Sequence, residues 1–131
     1  MLLHKELTDM IIKAFYVVYN ELGYGFLESI YEKAMLIELR NMGLNASSQE
    51  LIHVHYSKEI IGRFKADVLV ENLVILELKT SRALQEKDGN QLINYLRATD
   101  KEIGLLLNFG LKPEFRRKIF TNDRKPNLPK T

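Results

Sequence analysis

Four ionisable side chains stand where the surrounding pattern calls for apolar ones. In "VILELK", Val74 to Lys79, strand alternation puts Ile75, Glu77 and Lys79 on one face and Val74, Leu76 and Leu78 on the other. A carboxylate and an ammonium thus share one side of a very apolar segment. Asp67, in "FKADVLVENL", lies in a second strand-like segment although aspartate is disfavoured in strands. Glu28 falls on the apolar stripe of a helical segment: at about 100° per residue, Tyr31, Met35, Leu39 and Met42 lie within about 60° of it. An ionised carboxylate in apolar surroundings needs a cation, a metal or hydrogen bonds, or its pKa rises. Oxygen ligands in small number suit Mg²⁺ or Mn²⁺, with waters and a substrate phosphate completing the shell. Three of the four also have a plainer reading: Glu28 favours the positive end of a helix dipole, and Glu77 pairs with Lys79 in a structural salt bridge.

The elements that must position these residues follow from periodicity. Leu3, Leu7, Met10, Ile11, Ala14, Val18 and Leu22 recur every three or four positions, which predicts a helix ended by Gly23. A second helix runs from Phe26 to about Met42 and stops at Gly43. The segment "QELIHVHYSKEIIGRFKADVLVENLVILELK" reads as three strands broken at Ser57-Lys58 and Glu71-Asn72, an antiparallel meander. After a polar loop, "TSRALQEKDG", a third helix spans Asn90 to Thr99, and "IGLLLNFG" is a strand apolar enough to be covered on both faces. "KPEFRRKIF" fits either a helix or an edge strand. "TNDRKPNLPKT" is too polar and proline-rich to be assigned structure.

A chain of 131 residues is most simply one domain, here expected over residues 1–120 with a polar, basic, flexible tail over 121–131. The absence of cysteine excludes disulfides and thiolate metal sites and suits a reducing cytoplasm. No apolar run approaches the roughly 18–20 residues of a membrane span, and the start lacks a signal-peptide pattern. Residues 111–131 carry 7 Lys/Arg against 2 Asp/Glu, so the basic end with Arg116, Arg117, Lys118, Arg124, Lys125 and Lys130 either meets phosphates or merely solubilises. His53 and His55 share a strand face but have no third ligand nearby in sequence, and Gly23-Tyr24-Gly25 joins two helices rather than following a strand as a phosphate loop would.

Asp67 followed by Glu77-Leu78-Lys79 resembles the D…(D/E)-x-K signature of the PD-(D/E)XK nuclease superfamily. "GFLESIY", Gly25 through Glu28 to Tyr31, is similar to the G-x-x-E-x-x-Y pattern of a family of small bacterial and archaeal proteins within it; "IELRNMGL", "QLINYLRAT" and "GLLLNFG" follow that family in order. The resemblance covers about residues 5 to 120. It implies a restriction-endonuclease-like α/β core, a mixed sheet of about four strands flanked by helices. It also implies a catalytic group of Glu28, Asp67, Glu77 and Lys79. Mg²⁺ or Mn²⁺ would be held by Asp67, Glu77, the Leu78 carbonyl and, through water, Glu28. Gln91 and Tyr95 resemble the Q-x-x-x-Y element beside such sites, and Arg116 and Arg117 are expected to contact substrate. Two departures stand out: Ala66 occupies the position of the signature's proline, and Tyr19 stands where many relatives have histidine.

The implied activity is metal-dependent phosphodiester hydrolysis in nucleic acid, DNA first, with room for a homodimer and no membrane role. The rival is a non-catalytic nucleic-acid-binding or protein-interaction module of the same fold, which an exposed apolar stripe on the first helix would signal. The acidic site makes a geometric demand. A two-residue turn at Glu71-Asn72 would set Asp67 and Glu77 on opposite faces, so a shared site requires a three-residue loop, Glu71 to Leu73, or a bulge near Asp67. Asp67, Glu77 and Lys79 are then expected on the face toward the second helix and Glu28.

Overall fold

The apolar stripes condense into two helices, α1 (Lys5–Leu22) and α2 (Glu28–Asn41), followed by β1 (Ala46–Tyr56), β2 (Glu59–Val70), β3 (Val74–Lys79), α3 (Glu86–Ala98), β4 (Ile103–Phe109) and β5 (Pro113–Ile119). The structure, a computed structural model, describes residues 3–126. The strands form one mixed sheet in sequence order, five rather than four. β1, β2 and β3 are antiparallel neighbours, β3 and β4 are parallel, and β5 returns antiparallel along β4. The parallel step is the one that requires a crossover, and α3 supplies it.

Two apolar layers sandwich the sheet. On one side Ile11, Ala14, Phe15 and Val18 of α1 and Tyr31, Met35 and Leu39 of α2 pack on Val68, Val70, Leu76, Leu78 and the β4 residues Leu105 and Leu107. On the other, Leu92 and Leu96 of α3 pack on Ala66, Ile75, Leu106 and Phe120. Every residue of β4 is buried, as a strand covered on both faces should be. The α1 stripe is consumed by this packing, so the helix face that would have signalled an interaction module is the inside of the core.

Two departures from the sequence reading have identifiable causes. α3 begins four residues earlier than periodicity indicates, because the Asp88 carboxylate accepts the Gln85 N–H at 3.0 Å and caps the first turn. Gly89, which reads as a helix breaker, is buried where an added Cβ would lie 2.8 Å from Cε of Lys118, so the helix uses its small size to approach β5. "KPEFRRKIF" is the edge strand β5, and its long basic side chains lie over the sheet with half-buried stems.

The expectation of a flexible tail from residue 121 is corrected for residues 121–126. Asn122–Arg124 forms a 3-10 turn, and Lys125 is buried, its Nζ donating to Thr99 O at 3.0 Å, Lys101 O at 2.7 Å and Asn122 Oδ1 at 2.6 Å. The Arg124 guanidinium sits 4.5 Å from the centre of the Phe120 ring. Lys130 lies outside the described residues. Burial pushes the Lys125 ammonium below its ordinary pKa, while Glu102 and Asp100 oppose that shift. The residue is therefore an anchor of the α3–β4 connection, and not a free basic group for phosphate. Lys125→Ala leaves those acceptors unpaired and is expected to cost about 1–3 kcal/mol of stability. Urea denaturation at neutral pH measures it; an unchanged midpoint would contradict the docking.

Candidate active site

The loop between β2 and β3 decides the site. Val70 pairs with Val74, so the loop is the three residues Glu71 to Leu73, with Glu71 (φ 54) and Asn72 (φ 56) left-handed and the Leu73 N–H donating to Val70 O at 2.9 Å. The register continues through Leu69–Ile75 and Val68–Leu76, which brings Asp67 opposite Glu77. There the backbone ladder stops and side chains take over its hydrogen bonds. Asp67 Oδ2 accepts the Leu78 N–H at 2.8 Å, and the Asp67 N–H points at Glu77 Oε1 at 3.4 Å. The two strands thus part around a pair of facing carboxylates.

β2 changes its relation to the two layers at this point. Phe64 stacks on Tyr95 of α3 and Ala66 joins the α3-side core, whereas Val68 and Val70 belong to the α1/α2 side. Across the ladder, Gln49 of β1 is left-handed (φ 55) and donates from Nε2 to Glu32 Oε1 at 2.8 Å. Of the two routes the sequence offered, the three-residue loop is the one found; the β1–β2 register runs unshifted from Ser48–Val68 to Glu50–Ala66, so no extra residue is inserted at Asp67 even though Gln49 and Asp67 leave regular strand geometry there. The expected face is corrected: Glu77 and Lys79 share the side of Ile75, which packs against α3 and not α2. Alternation tells which residues share a face; it does not tell which helix covers that face.

Glu28 reaches the group from the other side. It is the first residue of α2, exposed, one turn before the buried Tyr31. Its carboxyl is pushed above the ordinary value by desolvation and by the charge of Asp67, against the opposing pull of Lys79. Burial is the largest influence on Glu77 as well; together with Asp67 it raises the carboxyl from 4.5 to about 8, with Lys79 a lesser opposing influence. Tyr95 closes the α3 side. Its hydroxyl accepts from Gln91 Nε2 at 2.8 Å, its ring lies 3.7 Å from Phe64, and desolvation, Glu77 and Asp67 raise its pKa. The salt bridges among the described residues are Lys5–Asp9 and Lys101–Asp100, so Lys79 is not locked to Glu77.

The structure brings together Glu28, Asp67, Glu77, Lys79, Gln91 and Tyr95, and leaves Arg116 and Arg117 apart. Arg116 pairs with Leu106, which itself pairs with Glu77, so two strand spacings and the buried Leu106 separate them. Arg117 turns to the opposite layer and donates to the Leu3 carbonyl at the start of α1. Tyr19 is structural, its hydroxyl reaching Gly110 O at 2.6 Å and Leu111 O at 2.9 Å. The sequence reading missed Phe64, which fixes Tyr95, and Asn108, which is buried inside the apolar β4 run. Asn108 Oδ1 accepts the Ser81 N–H at 3.0 Å and its Nδ2 donates to Ser81 O at 2.9 Å, tying down the chain just beyond Lys79. A polar residue inside "IGLLLNFG" was the available signal.

The donor set fits a divalent cation in part. Two carboxylates converge under mutual repulsion, and a cation would relieve it. No three His, Asp or Glu side chains among the described residues close on one centre as a complete protein cage does. An ion that keeps several waters and takes only one or two carboxylates suits such a set.

A five-stranded mixed sheet between two helical layers, opening at an acidic pair with a lysine beyond it, defines a restriction-endonuclease-like domain. The chain belongs to the PD-(D/E)XK nuclease superfamily, whose sequence model matches residues 5–118. The crystal structure of SSO0001 has the same fold: it is 18% identical with a TM-score of 0.55, over 71% of this chain and 50% of that one. The chain thus spans half the length of that relative. Among curated proteins, none matches it. No helix of the described residues is long and apolar enough to cross a membrane.

The raised Glu77 pKa has a consequence for stability. Between 4.5 and about 8 the folded protein binds more protons at this group than the unfolded chain does, so the group makes stability fall as pH rises. Each unit is worth about 1.4 kcal/mol and partial solvent access reduces the total, so Glu77→Gln is expected to gain on the order of 2 kcal/mol at pH 9 in EDTA. The gain should vanish towards pH 5. Thermal denaturation of both proteins across that range measures it; a constant difference would contradict the buried, proton-holding carboxyl.

Proposed function

We propose that this protein is a metal-dependent phosphodiesterase of nucleic acid, with DNA the first substrate to test, and that it belongs to the GxxExxY group of its superfamily. The observation that carries this reading is the convergence of Asp67 and Glu77 beside Lys79, with Glu28 approaching from α2. Asp67, Glu77, the Leu78 carbonyl and, through water, Glu28 would hold Mg²⁺ or Mn²⁺. Such an ion, when bound, supplies positive charge at the phosphoryl oxygens and acidifies water.

The chain's own groups do the rest. Lys79, which has no ion pair among the described residues, orients the attacking water and neutralises charge that builds on the phosphate oxygens. The water oxygen bonds to phosphorus as the opposite P–O ester bond breaks; the water gives up a proton and the leaving alkoxide takes one. Tyr95 and Gln91 wall the α3 side of the group and fix its shape. Glu77 carries a proton at neutral pH when no cation is present, so cation binding must release that proton and tightens as pH rises towards 8.

A module that only binds has no need of a carboxylate pair beside a lysine, and that favours the catalytic reading over the non-catalytic alternative. Glu77→Ala should abolish Mg²⁺-dependent cleavage of a mixed nucleic-acid panel while the circular dichroism spectrum stays that of the folded protein. Lys79→Ala should keep Mn²⁺ binding, followed by calorimetry, and lower turnover by about 10²–10³-fold. Full activity of Glu77→Ala would refute the assignment of the acids, and loss of Mn²⁺ binding in a folded Lys79→Ala would refute the role of the lysine.

A further inference from the structure

The two segments that carry Glu28 and Lys79 run on into an open cavity of about 560 Å³, lined by Tyr24, Phe26, Thr80, Ser81, Arg82 and Leu111. Thr80 directly follows Lys79, and Phe26 lies two residues before Glu28, so at no more than about 3.5 Å of chain per residue the cavity abuts the acidic group. Its chemistry differs from that of the group it adjoins. Arg82 is the one charged side chain among its described lining residues, and hydroxyls flank it at Thr80 and Ser81. Tyr24 and Phe26 present aromatic surface that the fold leaves uncovered, 61% and 47% exposed.

Both walls are fixed before any ligand arrives. The buried Tyr31 hydroxyl donates to Gly23 O at 2.6 Å and accepts from the Phe26 N–H at 3.3 Å, and the Phe26 ring stands edge-on to Tyr31 at 6.1 Å. Gly25, at φ 107, makes the turn between these two points, leaving Tyr24 at its apex. Opposite, Asn108 holds Ser81 at two points, and Gly110 backs it so closely that an added Cβ would lie 2.1 Å from Ser81 O. Neither the Tyr24 nor the Arg82 side chain takes part in the hydrogen bonds or ring contacts that fix the two walls. An aromatic face and a cation, each carried on backbone fixed by its neighbours beside the acidic group, match a base and its phosphate.

We propose that this cavity is a nucleotide subsite in which Tyr24 stacks on a base and Arg82 holds the adjoining phosphate, making nucleic acid with unpaired bases the substrate class. The inference rests on the nuclease reading for its position beside the scissile bond. A base inside a duplex has both faces covered by its neighbours, so stacking on Tyr24 needs a single strand or a frayed end. Phe26, packed edge-on to Tyr31, lines the same cavity.

The test is equilibrium binding of the full chain, with Ca²⁺ in place of Mg²⁺, to a short oligonucleotide carrying 2-aminopurine, as a single strand and in a blunt duplex. The wild type should bind the single strand at least tenfold more tightly and quench the probe. Tyr24→Ala should weaken single-strand binding about 5- to 100-fold and abolish the quench, and Tyr24→Trp should restore both. Arg82→Ala should reduce the slope of log affinity against log salt by about one contact. Equal affinity for the blunt duplex, or single-strand binding untouched by Tyr24→Ala, would overturn the proposal, as would a wild type that binds neither form. Cleavage in Mg²⁺ is followed in parallel and separates the two claims. Cleavage that ignores Tyr24 and Arg82 leaves the nuclease standing without this subsite, and Tyr24-dependent binding without cleavage leaves the subsite standing without hydrolysis.

Discussion

Asp67 and Glu77 face each other where β2 and β3 part, and the rest of the site is arranged around their repulsion. Their carboxylates replace backbone groups as hydrogen-bond partners, Asp67 for the Leu78 N–H and Glu77 for that of Asp67. That arrangement ends the β2–β3 ladder after three pairs and leaves a gap in the sheet at the place where charge is concentrated. Burial first, and the charge of Asp67 second, raise Glu77 to about 8. A proton on Glu77 relieves that tension, and a divalent cation would relieve it better at higher pH, so the same geometry would couple stability, pH and metal affinity.

The frame that holds the pair is mostly apolar, but two buried residues with polar groups, Asn108 and Tyr31, fix the chain on either side of it. β4 is a rigid rail, apolar throughout except for Asn108, and that single amide fixes the chain beyond Lys79. Tyr31 plays the corresponding part on the helical side. Its ring fills the core against Phe109 at 4.3 Å while its hydroxyl ties down the loop that leads into Glu28. Loop ends set by such contacts place Glu28 and Lys79 with little freedom, which catalysis and selective binding both require.

The acids were legible in the sequence because each violates its local pattern: Asp67 and Glu77 in strands, Glu28 on a helix stripe. The odd-numbered turn was legible as one of two routes to a shared site, the other being a bulge near Asp67, and Asn72 tolerates the left-handed conformation found there. What failed were statements that depend on the third dimension alone. The covering helix for Glu77 and Lys79 is α3, because the layer assignment of a strand face depends on the crossover between β3 and β4 and not on the strand itself. Arg117 looked like a phosphate ligand by composition, yet β5 pairing turns it beneath the start of α1. Lys125 looked like tail, and a lysine buried on carbonyl oxygens has no local sequence signature.

The central claim is that this carboxylate pair is a cation site, and a titration of Mn²⁺ into isotope-labelled protein at pH 8, followed by paramagnetic broadening of amide resonances, tests it most directly. The amides of Asp67, Glu77 and Leu78 should broaden first and together, with Tyr95 and Glu28 next, and Glu77→Gln should abolish the effect. Broadening that starts elsewhere, for instance at His53 and His55, or that survives Glu77→Gln unchanged, would contradict it.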